Sequence, residues 1–397
     1  MKKFLIGFLI VFVSLNLFAG ADYNITGAGA RAAGLGGAFI AVADDATAIS
    51  WNPAGLTQLY RPEISIVTKF IAEDWEYKSS YWDAESDKQS HFAFNFASAA
   101  YPFMNGKLVA AIAYQQQLDW YSDWEDEDDK STGGANSITS GLAFRLLPII
   151  SIGFSTNVWL GNWIHDDVWA YHPDEDDYDY VDRTITFSGL NFVFGLMVDF
   201  NNLETPVPLK FGATMRTPFD LEVAVEADYE DFEDLEYTNT VDMPIMLGFG
   251  ASFRIGDYFT LSTDYEIRAY ADSKIHYELG GTSDLSDSRD NLSQIRVGAE
   301  YLFVTDFAVI PLRTGFKTIP TLLANGNGPS NDWEFTDQTT GTGFSFGTGL
   351  IFDRIAIDAT FEMTSYEEKW DDWPNIGEDE SATSTKYNTT ISTIFYF

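Results

Sequence analysis

The chain has no cysteine. That excludes a disulfide framework, a thiolate metal site, a cysteine nucleophile and a lipid-modified cysteine anchor. Basic residues are scarce: 23 Lys and Arg stand against 60 Asp and Glu, a formal net charge of −37. A basic patch for nucleic acid or an anionic membrane surface is therefore not expected. The four histidines, His91, His165, His172 and His276, are scattered. Beyond the first 19 residues, no apolar run is long enough to span a bilayer as a helix. Aromatic residues, by contrast, are abundant at 16%, within 45% hydrophobic residues overall. That much apolar surface makes a folded chain despite the acidity.

The N-terminus reads "MKKFLIGFLIVFVSLNLFAG". Lys2 and Lys3 form a basic lead, Phe4 to Leu15 an apolar core, and Ala19 a small residue for cleavage. This is the pattern of a secretory signal peptide over residues 1–19, with the mature chain starting near Gly20.

After Tyr60 the dominant period is two. "HFAFNFASA" puts Phe92, Phe94 and Phe96 on one face and His91, Ala93 and Asn95 on the other. "QIRVGAEYLF" sets Ile295, Val297, Ala299 and Tyr301 against Gln294, Arg296, Gly298 and Glu300. "FTLSTDYEIRAY" sets Phe259, Leu261, Tyr265 and Ile267 against Ser262, Asp264, Glu266 and Arg268. This is strand alternation, and the second face is too polar for the core of a soluble sandwich. Turn signals between segments alternate short ("MNGK", "IGD", "FDR") and long ("DWEDEDDKSTGGAN", "KWDDWPNIGEDESATS"). About 14 segments result, among them 89–102, 107–123, 149–165, 207–229, 235–255 and 258–278.

An even strand count, short turns on one side, long loops on the other and apolar residues outward predict an all-β fold. It is a transmembrane antiparallel β-barrel over residues 59–397, placed in the bacterial outer membrane. Closure leaves no unpaired edge in lipid. Ten of the 11 Trp lie in or beside the long loops (Trp75, Trp82, Trp120, Trp124, Trp159, Trp163, Trp169, Trp333, Trp370 and Trp373). Trp favours the membrane interface, so these are expected to mark one rim. The acidic runs Glu125–Asp129 and Asp174–Asp177 also fall in long loops. They read as a solvated rim, or as carboxylates bridging divalent cations to lipopolysaccharide. No segment has the spacing of a calcium-binding loop, and no metal or cofactor is expected.

A barrel this wide needs a filling, because side chains alone fill only about 8 strands. "GARAAGLGGAFIAVADDATAISWNPAGLTQL", Gly29 to Leu59, has the small residues for it. Asp44 or Asp45 can cap a short helix. Pro53 keeps Asn52 out of the α region, and the Asn52 side chain can bond nearby backbone. Residues 20–58 are thus expected to plug the lumen, with Asn52, Pro53 and Ala54 as its hinge or gate. The same residues allow a simple turn before the first strand.

The "VADDATAISWNPAGL" sentence, with its Asn-Pro-Ala triplet, resembles the N-terminal hatch of the FadL and TodX type of outer-membrane transport proteins. The signal peptide, the strand count and a terminal aromatic strand "TISTIFYF" ending in Phe397 fit that resemblance. It implies a monomeric, non-enzymatic channel for hydrophobic molecules, long-chain fatty acids or related apolar compounds. It also implies contact with outer-membrane lipid and with barrel assembly machinery during biogenesis. The hatch sentence also resembles that of PorV-type relatives, which serve as partners in protein secretion, and an outer-membrane interaction protein for protein secretion or surface attachment is the alternative function.

Two motifs imitate enzymes. "GFSFG" (343–347) has the spacing of a nucleophile elbow, but its alternating Phe residues make it a plain strand. "GAGARA" (27–32) imitates a dinucleotide fingerprint without the flanking strand. The inward cations carry more. "AVIPLRTGFK" points Ile310, Leu312 and Phe316 outward and Arg313 and Lys317 inward; Arg216, Arg268 and Arg296 are inward by the same alternation. A ligand carboxylate in an apolar lumen needs such a partner. The other reading of these five residues is pairing with lumenal acids such as Asp264, Glu266 or Glu300.

Overall fold

A computed structural model describes residues 27–79, 83–123, 130–172, 177–203, 205–230, 234–278, 281–284, 290–327, 334–371 and 380–397. The signal peptide, the first residues of the expected plug and both acidic runs lie wholly or largely outside these residues.

Fourteen strands close a barrel. They are β1 Glu63–Ser79, β2 Glu85–Phe103, β3 Leu108–Gln116, β4 Asn136–Leu147 and β5 Ile150–Leu160. Next come β6 Asp177–Asp199, β7 Leu209–Arg216, β8 Met246–Ile255, β9 Phe259–Arg268 and β10 Leu292–Val304. The last four are β11 Val309–Asn327, β12 Glu334–Ile351, β13 Ile355–Asp371 and β14 Glu380–Tyr396. Each pairs antiparallel with the next, and β14 pairs with β1 from Glu63↔Tyr396 to Ser79↔Glu380. All the described barrel strands therefore have partners on both sides, as lipid requires of a backbone it cannot hydrate.

Alternation sorts the side chains as the pattern predicts on most strands. Phe249, Tyr265, Ile295, Val297, Leu312, Phe344 and Phe361 face outward and are exposed, while Asp264, Arg268, Arg296, Glu300 and Arg313 are buried inside. β2 departs from it. Val67 pairs with Phe96 and Thr68 with Phe94, so Asn95 is an extra, unpaired residue. A bulge of this kind flips every side chain beyond it. Phe92 and Phe94 face lipid as expected, but Phe96 turns inward and is fully buried against the plug.

A second correction concerns strand lengths. Segments 207–229, 235–255 and 258–278 each join a barrel strand to a separate outer strand: 219–229, 235–243 and 274–276. The breaks fall at Pro218, at Pro244 and at the short helix Tyr270–Asp272. Proline supplies no N–H to a ladder, so the chain changes partner there. Segment 149–165 likewise breaks at Gly161, whose φ of +130° is open only to glycine. Segment 107–123 leaves the barrel after Gln116. The outer strands pair with each other and with the upper part of β6, a 23-residue strand that belongs to both layers.

This crown has its own apolar core of Leu118, Trp159, Phe187, Phe219, Val223, Val241, Met243, Met246 and Leu292, with Trp120 and Trp163 packed against it. Trp159 is only 2% exposed, and its Nε1 donates to Asn191 at 2.8 Å. Trp120 and Trp163 pack ring to ring at 5.1 Å. These three tryptophans thus fill the crown and do not line a lipid-facing rim. Trp82, Trp124, Trp333 and Trp373 fall outside the described residues. Burial pushes the Tyr237 phenol of the same core up to about 12.

With no free edge to fray, the folded chain is expected to run faster on an unheated detergent gel than after boiling, with a β-type far-ultraviolet spectrum throughout. A helical spectrum, or solubility without detergent, would contradict the barrel.

Candidate functional site

No residue from Gly27 to Leu59 is exposed. The segment lies inside the barrel, with short helices at Ala30–Gly34 and Ala48–Trp51 and a 3-10 turn at Pro53–Gln58. It sits so close to the wall that the wall gives up its side chains. Inward positions Gly153 on β5, Gly195 on β6, Gly212 on β7, Gly298 on β10 and Gly315 on β11 lie against segment atoms. A Cβ at any of them would overlap Ala54, Asn52, Ile40, Leu35 or Gly36 respectively. On β9 a carboxylate does the work of a glycine: Asp264 accepts from the amides of Phe39 at 2.7 Å and Ile40 at 2.9 Å.

The Asn-Pro-Ala triplet is one of these wall contacts. Asn52 is fully buried. Its Oδ1 accepts from Ala54 N at 3.1 Å, and its Nδ2 donates to Ile40 O at 2.9 Å and to Leu196 O of β6 at 3.1 Å. Asn52 thus clamps two parts of the segment to the wall, and Pro53 opens the 3-10 turn. Asp45 does not cap helix Ala48–Trp51 from its N-cap position. Its Oδ1 accepts from the amide and hydroxyl of Thr47 at 2.8 and 2.5 Å. Asp44 instead pairs with Arg31. The "GFSFG" serine, Ser345, also holds the segment: it donates to Gly34 O and accepts from Gly36 N, each at 3.2 Å.

The five inward cations divide by partner. Arg313 donates to Glu300 at 2.7 Å and to Asp358 at 2.5 Å, and is 3% exposed. Glu300 also takes two bonds from Arg31 at 3.1 and 3.0 Å, so Arg313 belongs to an ion-pair network that fastens the segment to the wall. Lys317 pairs with Glu362 at 2.8 Å. Both bridges run from β11 to β13 over the bare positions Gly347 and Gly343 of β12. Arg268 bonds Glu266 at 2.5 and 2.7 Å, and Arg296 reaches the same carboxylate at 3.3 Å. Arg216 is different: it makes no side-chain hydrogen bond or ion pair among the described residues, and its Nη1 is buried without a partner.

Two small cavities lie on the outward side of the segment, about 40 Å³ each. Both are lined by Gly27 and Trp51, so Trp51 forms the partition. The first adds Lys69, Arg296, Lys317, Glu362, Asn388 and Thr390; the second adds Val193, Thr214, Arg216, Met246 and Glu266. The Arg296 guanidinium sits 5.7 Å from the Trp51 ring centre. Lys69, absent from the expected set, makes no ion pair or hydrogen bond among the described residues. Its place on the inward face of β1 was readable from alternation, but the carboxylates it lacks were not.

Above this floor, on β1, β13 and β14, the lumen carries Glu73, Glu362, Lys386 and Asn388, with Lys386 3.6 Å from Glu73. Met246, in the lining of the second cavity, also belongs to the packed apolar core with Trp159, Phe187 and Phe219. On the other side of the segment, a polar vestibule of about 790 Å³ opens between Arg31, Asp44, Glu63, Lys210, Arg254 and Tyr396.

Two changes test how the segment is held. Asn52→Ala removes three hydrogen bonds from a buried site, a cost of about 1–3 kcal/mol. Gly315→Val forces the segment off the wall. Each is expected to leave the barrel assembled and to raise single-channel conductance, the valine more than the alanine. Conductance equal to that of the unmodified protein in both variants would show that these contacts do not seal the lumen.

The sequence matches no family model and no curated protein. Solved structures do match. A FadL homologue from Pseudomonas aeruginosa is similar at TM-score 0.72 and 13% identity, over 95% of this chain and 100% of that one. The toluene transporter TodX of P. putida matches at 0.63 and 12%, over 94% and 99%. The toluene transporter TbuX of Ralstonia pickettii matches at 0.63 and 16%, over 94% and 100%. A closed 14-stranded barrel with its N-terminal segment folded into the lumen, superposing on these structures along nearly its whole length, has the fold of the FadL-type outer-membrane transporters.

Proposed function

We propose that this chain admits hydrophobic molecules through the outer membrane, with fatty acids or similar amphiphiles as ligands and the N-terminal segment as the gate. One observation carries the reading: the two cavities above the segment, one of them lined by Met246 of the apolar core, hold Lys69 and Arg216, two cations with no ion pair or side-chain hydrogen bond among the described residues. A buried cation without a carboxylate is costly, and an anionic ligand head removes that cost. The apolar core supplies the opposite environment for a chain. Barrels of the same fold described as toluene transporters and a monoaromatic hydrocarbon channel support hydrophobic cargo. A bare hydrocarbon makes no use of the charged floor, which favours an amphiphile here.

Arg313 and Lys317 serve this function indirectly. Removing Arg313 strands Asp358 in a buried site and leaves Glu300 to Arg31 alone, which costs about 3–5 kcal/mol whatever the ligand. Loss of uptake in that variant would report stability.

The test uses Arg216→Ala together with Lys69→Ala. Dodecanoate binding is expected to weaken about tenfold or more, the worth of one charge-assisted contact, while dodecanol binding stays within about twofold. Equal losses for both ligands would remove the cations from ligand binding. A second measurement addresses the gate. Deleting residues 20–58 leaves all strands and Phe397 intact. The emptied lumen is expected to conduct small ions and to lose saturable uptake of dodecanoate. A truncated barrel that conducts no better than the intact one would rule out the segment as a plug.

A further inference from the structure

The first cavity holds more positive charge than a fatty acid can answer. Lys69, Arg296 and Lys317 line it, and Glu362 is its one carboxylate among the described residues. Glu362 is taken by Lys317 at 2.8 Å. Glu266 reaches Arg296 only at 3.3 Å and is bonded more closely by Arg268 on its other side. Asp264, one step closer to the segment, spends its Oδ2 on the amides of Phe39 and Ile40. Counted on its own lining, the cavity sets three cations against one carboxylate, an excess of two positive charges, in a chain whose net charge is −37.

Its donors are also unspent. Arg296 is 1% exposed, lines the cavity, and has an Nε with no hydrogen-bond partner. Lys69 brings a whole ammonium group without a partner among the described residues. Asn388 and Thr390 of β14 add neutral polar groups to the same lining. At about 40 Å³ the space takes a compact polar group and not an acyl chain.

We propose that this cavity receives a dianionic head, and that the preferred ligands are apolar molecules ending in a phosphate monoester. This rests on the amphiphile reading above and narrows it. A carboxylate brings one charge and leaves the cavity with an unanswered cation. A phosphate monoester brings nearly two charges at neutral pH and three acceptor oxygens. Those oxygens suit the Lys69 ammonium, the Arg296 Nε and the hydroxyl or amide of β14, while the tail extends toward the apolar core. Trp51, under Arg296, forms the wall against which the head is seated.

The test is calorimetric titration of the full-length protein in lipid nanodiscs at pH 8. The ligands are octyl phosphate, octyl methyl phosphate, octanoate, octanol and inorganic phosphate. Octyl phosphate is expected to bind at least about tenfold tighter than octanoate or the singly charged diester, one charge-assisted contact's worth. Lys69→Gln should bring octyl phosphate down to the level of octanoate, and Lys69→Arg should restore the preference. The gel-mobility shift on heating confirms that each variant is folded. Octanoate or the diester binding as tightly as octyl phosphate would overturn the dianion assignment and leave the amphiphile reading standing. Inorganic phosphate binding as tightly as octyl phosphate would mean a free-anion site and overturn the assignment to an amphiphile. No binding of any octyl ligand would overturn both readings.

Discussion

A backbone in lipid has nowhere to send its N–H and C=O groups except to another strand. That constraint accounts for most of this molecule. It joins β14 to β1, and because that closing pair is antiparallel like the rest the strand number is even; lipid then takes the apolar side chains on the outer face. It also hands the polar side chains to the interior, where they must find partners or ligands. The charged floor is a consequence of closure as much as of function. The wall's inward ion pairs and hydrogen bonds are shielded from lipid by the strands that carry them.

The interior divides the labour between holding and binding. Arg31, Glu300, Arg313 and Asp358 form one buried network that is nearly self-satisfied, and such a network fixes geometry. Arg216 Nη1 and Arg296 Nε stand outside it, buried without a partner, and Lys69 has no ion pair or hydrogen bond among the described residues. The two groups are chemically alike and lie on neighbouring strands. What separates them is whether a carboxylate on the next strand but one reaches across. On β12 the glycines Gly343 and Gly347 make room for that reach.

Much of this was legible in the sequence, and the exceptions have physical causes. Period-two alternation placed Ile295 and Val297 outward and Arg296 and Glu300 inward, because pleating leaves a strand no other choice. It misplaced Phe96, because a single unpaired residue, Asn95, leaves no mark on composition. Pro218 and Pro244 did mark the passage from barrel to crown, but alternation continues through both, and length alone suggested single strands. The tryptophans near the loops looked like a lipid rim; Trp159 and Trp163 instead fill a core built from strands far apart in the chain. Which cations are paired could not be read at all. Arg313 meets Asp358, 45 residues on, only through the register of three strands.

The glycines facing the N-terminal segment also bear on how the protein is made. Those on β5, β6, β7, β10 and β11 touch the segment from several sides, so its seat exists only when strands from both halves of the chain are in place. Yet once β14 has joined β1, the wall is a continuous ring. A segment arriving after that would have to thread lengthwise past its own binding surfaces. Closure therefore bears on seating: the segment reaches its glycine contacts more freely while β14 and β1 are still apart than after they meet.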